Sequence, residues 1–250
     1  MKYGVLSVIA LFFACIIYAQ DVGVLIADAE KLEKDLKEAE ALEKYKEVLN
    51  IDTANLKAGC KAAELTGRIG ARFKDEKQRT AYFTSVKIYA ERVFRQHHDE
   101  AEANYAMANA NMLLATVTKN KEKAVHLRDM KFYSDSALLI NPSHAGSLYT
   151  LGKWNYEIIN LNVAEKAGVK VLFGGMPRAS LDEAILYFEK ARSANPMLIV
   201  NYLDLANAYV QNHRTDKAIE VLNRMVKLPP RTQDDETYKA EGRTLLASLQ

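Results

Sequence analysis

Proline and glycine are scarce: five and eleven in 250 residues, about half their usual share, and no proline precedes Pro142. That scarcity disfavours a turn-dense β-sandwich. A dominant charge sign is also missing, since 34 Lys and Arg face 32 Asp and Glu for a net +2, with the signs interspersed. There is therefore no basic footprint for nucleic acid and no acidic tail. Cysteine is limited to Cys15 and Cys60. What is abundant is apolar material, 49% against 26% charged residues, which excludes disorder as the bulk state.

Only one long uncharged apolar run occurs, Val5 to Ile17, behind Lys2 and ahead of Tyr18-Ala19-Gln20. This layout predicts a secretory signal peptide over residues 1–19 with a cut before Gln20, and hence export to a compartment such as the periplasm. An uncleaved anchor and a lipid-modified Cys15 are the alternatives. If Cys15 leaves with the signal, Cys60 stands alone and no intrachain disulfide forms. Its small neighbours on a helical pattern assign that thiol to core packing.

From Ile26 onward the apolar spacing is helical. Leu32, Leu36, Ala39, Leu42, Tyr45 and Leu49 make one stripe at steps of three and four. Ser180 with Glu183 reads as a capping box, and Asn-Pro pairs end helices at Pro142 and Pro196. Ala184, Phe188, Ala191 and Pro196 recur 34 residues later as Ala218, Leu222, Met225 and Pro230, with Tyr202, Leu205, Ala206 and Tyr209 between. Such alternation of large and small residues is tetratricopeptide-repeat spacing: the small ones let paired helices approach while the large ones fill the gap to the next pair.

The predicted architecture is an all-α, tetratricopeptide-like solenoid of helical hairpins. One domain spans 20–250, with a capping helix at about 233–250. Asp234, Asp235 and Glu236 suit that last helix's N-terminus better than a metal site. Pro142 to Pro196 is 54 residues, 20 more than a repeat, which places an insertion at about 157–179. It reads as an overlong helix from Ser147 to Val171, about 37 Å long, followed by Gly174-Gly175-Met176-Pro177. This segment either folds back as a plug or forms a lid for an apolar ligand or partner, with Trp154, Leu172 and Phe173 as its expected contacts.

Residues Leu151 to Glu157, L-G-K-W-N-Y-E, followed by Leu161, Glu165-Lys166, Leu172-Phe173-Gly174 and Pro177, resemble the regulator of microtubule dynamics family over most of residues 80–250. The family pattern resembles L-G-R-W-x-Y-E then L-x-W-x-E-K, so Lys153 stands for the Arg and Val163 for the second Trp. The resemblance implies a helical-repeat protein without catalytic residues, linked in animals to microtubules and to membrane contact sites where phospholipid is engaged. Export from a bacterial cell would separate this chain from tubulin. The fold transfers more readily than the role.

Catalytic and metal signatures are missing. His97 and His98 point to different faces, and His126, His144 and His213 lack an i, i+4 partner of metal-binding type. Gly174-Gly175 has no following Lys and Ser or Thr for a phosphate loop. Ser143 beside His144 reads as a turn rather than a nucleophile with its base. No metal, cofactor or enzymatic activity is expected. First helices of the hairpins should line a concave groove through Tyr105, Asn109, Tyr149, Lys153, Tyr156, Leu203 and Asn207. Trp154 with Tyr156 reads as core packing or a stacking platform. The expected function is a non-enzymatic scaffold that binds a protein or peptide segment in this groove. Binding of phospholipid or another apolar ligand is the alternative.

Overall fold

The computed structural model describes residues 22–250; the expected export signal and its cut lie outside them. The described residues form twelve helices and no strand. In chain order they are α1 (22–34), α2 (Glu38–Ile51), α3 (Leu56–Ala71), α4 (Glu76–Gln96), α5 (Ala101–Ala115), α6 (Asn120–Ile140), α7 (Ala145–Asn160), α8 (Val163–Phe173), α9 (Leu181–Ala194), α10 (Ile199–Gln211), α11 (Thr215–Met225) and α12 (Asp235–Ser248). Antiparallel hairpins α1/α2, α3/α4, α5/α6, α7/α9 and α10/α11 stack in sequence, and α12 covers the last. None of these helices is long and apolar enough to cross a membrane.

Local chemistry sets the boundaries. Asn55, Asp75, His144, Asn162 and Ser180 each accept a hydrogen bond from the amide three residues on, satisfying a donor that the first helical turn leaves free. Ser180 makes only its half of the expected box: its hydroxyl accepts from the Glu183 amide at 3.1 Å. Asn141 and Asn195 turn extended at the ends of α6 and α9, as residues before proline do.

The repeat positions are the core. Ala184, Phe188, Ala191, Tyr202, Leu205, Ala206, Ala218, Leu222 and Met225 are all fully buried in one cluster. Gly152 lies directly under the Phe188 ring, where a Cβ would collide with it, so the small position of α7 admits the large one of α9.

The insertion corrects the expected single long helix. α7 stops at Asn160, Leu161 is extended (φ −60°, ψ 142°), and Asn162 starts α8 with a complete capping box to Glu165. Leu161 is buried, and Val169, Leu172 and Phe173 pack with Ala124, Leu127 and Met130 of α6 and with Trp154. The chain thus turns back onto α6 because its apolar residues can be covered there. Asn162-x-x-Glu165 is a helix-start signal inside the apolar run, and it divides the segment into two helices.

Candidate binding chamber

Helices α1, α3, α5, α7, α10 and α12 turn one face toward the solenoid axis and line a half-open chamber of about 1130 Å³. Ile26, Leu56, Tyr105, Asn109, Tyr149, Val200 and Tyr238 supply walls from each of these helices in turn. Curvature of the stack brings its two ends together. Arg72, after α3, donates to Asp234 from Nε (2.7 Å) and Nη2 (2.9 Å), and to the Gln233 amide oxygen from Nη1 (2.7 Å). Glu38 of α2, 1% exposed, accepts from the Gln233 backbone at 3.2 Å and from Arg68 at 3.4 Å, and also contacts Arg72. The hydrogen bonds to Asp234, ahead of the pair with Glu38, hold Arg72 more firmly protonated than usual. A latch between residues about 160 apart therefore closes the ring.

The chamber wall carries charge, but in compensated form. On α3, Lys57 pairs with Glu30, Lys61 with Glu33 and Glu64 (3.0 Å each), and Arg68 with Glu64. Burial alone would raise Glu64, yet Arg68 and Lys61 hold its carboxyl below the usual range. Cys60 is half-buried on the same wall, and burial, then the Glu102 and Glu64 carboxylates, push its thiol up to about 12. It stays protonated and unreactive at neutral pH. His144 links Ser147 (3.0 Å) and Glu102 (3.2 Å) in an order resembling a catalytic triad. Ser147 is fully buried and its amide also donates to His144 Nδ1 at 3.1 Å, so the imidazole is a helix cap. Its hydrogen bond lowers Glu102. Ser143 bonds Asn141 at 3.0 Å and is part of the turn.

The residues assigned to one groove divide into two groups. Tyr105, Asn109 and Tyr149 line the chamber; Lys153, Tyr156, Leu203 and Asn207 do not. Asp204 of α10 accepts from the Tyr149 hydroxyl (2.8 Å) and from Lys153 (3.2 Å), and Lys153 also lies 6.0 Å from the Tyr156 ring. Burial opposes the Lys153 charge, but Asp204 and Glu157 together raise its pKa. These groups close the α7 to α10 seam, with Leu203 buried in the C-terminal core. Trp154 is 1% exposed and donates to the Leu127 carbonyl at 2.9 Å, with Phe173 6.4 Å away. It packs in the core with the insertion's Leu172 and Phe173.

Sequence reasoning missed the α3 wall. Cys60, Glu64, Gly67, Arg68 and Ala71 follow each other at helical steps on that face, a stripe that mixes small and charged residues. Asp234 and Asp235 also have specific partners. Asp234 joins the latch, and Asp235 accepts from the Arg231 and Thr232 amides at 2.6 and 2.8 Å. No cluster of three metal-ligating side chains occurs among the described residues.

A stacked-hairpin solenoid with an axial chamber defines a tetratricopeptide-type repeat scaffold. A thermophilic TPR protein of Thermus thermophilus is similar in fold, with a TM-score of 0.60 at 14% identity over 89% of this chain and 99% of that one. The model of the regulator of microtubule dynamics protein 1-3 family matches residues 25–250, and the chain belongs to that family. Regulator of microtubule dynamics protein 1 of Caenorhabditis elegans is 29% identical over 126 residues, 50% of this chain and 56% of that protein. Its Pongo abelii namesake is 23% identical over 180 residues, 72% and 57% of the two chains. The chain thus spans little more than half the length of these curated relatives.

Proposed function

We propose that the protein is a non-enzymatic scaffold that holds a segment of a partner protein in its axial chamber. The observation that carries this reading is the convergence of six helices on one space faced by Tyr105 and Asn109. Their side chains make no hydrogen bond to another described residue. An amide and a phenol so placed can pair with an extended backbone at low entropic cost. Tyr105→Phe with Asn109→Ala retains the ring against His144 and should weaken partner binding by over about 1 kcal/mol per group, read by calorimetry with a partner recovered through crosslinking. Unchanged affinity would reject the chamber as the binding site.

A second reading, an apolar-ligand or phospholipid carrier, is favoured by the paired charges of the α3 wall and by the closed latch, which together suit an uncharged ligand body. Native mass spectrometry with lipid extraction separates the two, since a stoichiometric copurifying lipid supports the carrier. We further read residues 1–19 as an export signal; an intact mass that retains them would refute this. The relatives' name suggests a microtubule-related role, which requires the chain to share a compartment with tubulin.

A further inference from the structure

Helix α8 covers one face and leaves another bare. Val169 is fully buried, whereas Val163 and Val171 are 86% and 82% exposed. Eight residues apart, they align along the helix with exposed Ala167 between them. Met176, 40% exposed, follows just past Gly174-Gly175. Helix formation does not require valine at these solvent positions, where straight-chain polar residues are better formers.

Cations flank this apolar ridge on both sides. Lys166 and Lys170 follow one edge of α8. At the other edge Gly168 presses on Asn120, where a Cβ would stand 3.2 Å from the backbone oxygen, so the start of α6 with Lys121 lies alongside. Lys121, Lys166 and Lys170 form no ion pair with a described residue. The nearby Glu157 and Glu165 are both engaged by Lys123, at 3.5 and 3.3 Å, which leaves Glu122 as the unpaired acid of that α6 turn.

We propose that α8 docks the protein on an anionic bilayer surface, with Val163, Ala167 and Val171 at the acyl boundary and the lysines among the headgroups. An aliphatic ridge about 12 Å long flanked by ammonium groups on flexible stems matches an interfacial helix. It lacks the aromatic and arginine anchors on which protein interfaces depend. This assignment is independent of what the chamber holds.

The test uses the full chain and a local probe. Trp154 is the only tryptophan and is buried, so an indole introduced by Val171→Trp, or separately by Val163→Trp, reports on the ridge alone. Vesicles containing about a third phosphatidylglycerol should shift its emission to the blue, and brominated acyl chains should quench it. Pure phosphatidylcholine should do neither. Lys166→Glu with Lys170→Glu in the same background should lower partitioning about tenfold or more. Lys166 and Lys170 are remote in sequence from the apolar run at residues 5–17, so the charge-reversal arm isolates α8. Equal responses to neutral vesicles, indifference to charge reversal, or a matching shift with polyglutamate, which would indicate an acidic protein surface, would each overturn the assignment.

Discussion

Hairpins α7/α9 and α10/α11 use the same buried positions, Ala184, Phe188 and Ala191 in one and Ala218, Leu222 and Met225 in the other. One, however, carries twenty extra residues between its helices. The extra segment leaves the pairing intact because α8 packs on the preceding hairpin, against α6, instead of entering the α7 to α9 contact. Repeat stacking thus depends on which side chains meet, and connection length adds little once an insertion covers its own apolar face. The latch is a second attachment of this kind, although its Glu38 is almost fully buried.

The largest effect should come from within the hairpin. Phe188→Ala should cost about 3 to 5 kcal/mol in a denaturant melt, since the ring is fully buried over Gly152. A loss under about 1 kcal/mol would mean the shared positions do not organise the stack. Next comes the latch: Glu38→Ala removes the buried carboxylate shared by Arg68 and Arg72, which keep Glu64 and Asp234, and should cost about 2 kcal/mol. Faster hydrogen exchange at Gln233 and Asp234 should accompany it, showing the ring opening.

A pH dependence should follow from hairpin α5/α6. His126 of α6 meets the side-chain amide oxygen of Asn111 at 2.9 Å, and burial, then Lys87, depress its pKa below 6.5 despite Glu122 and Asp129. The unfolded chain therefore takes up the proton first as pH falls. Stability contributed by the neutral ring is complete above about pH 6.5 and declines below it, by no more than about 1.4 kcal/mol per pH unit, until the folded-state value is reached. Melts of the wild type and His126→Gln at pH 7 and 5 should diverge in that direction. The smallest effect should be at the insertion, where Asn162→Ala removes the α8 cap for about 1 kcal/mol. Exchange there should rise in α8 and leave α9 unchanged; if both loosened together, the insertion would be part of the hairpin.

Much of this was readable from local pattern. Phe188, Tyr202 and Leu222 announce their burial by recurring at helical steps, and Asn141-Pro142 and Asn195-Pro196 announce their stops. The candidate site was legible only in part. Tyr105, Asn109 and Tyr149 lie on the chamber wall, whereas Lys153 at the next turn is drawn to Asp204, 51 residues away. That choice between solvent and a neighbouring helix leaves no mark in α7 itself.

The sequence by itself determined the helical class, the hairpin repeat, the large and small core positions, the Ser180 cap and the two Asn-Pro stops, because each depends on residues within a few turns of one another. Tertiary structure alone decided that Arg72 reaches Asp234, that the concave face curves into a chamber, and that α8 lies on α6 with Val163 and Val171 outward. These outcomes depend on small rotations summed over five hairpins and on which apolar surface remains uncovered once they have stacked. No local spacing encodes that sum.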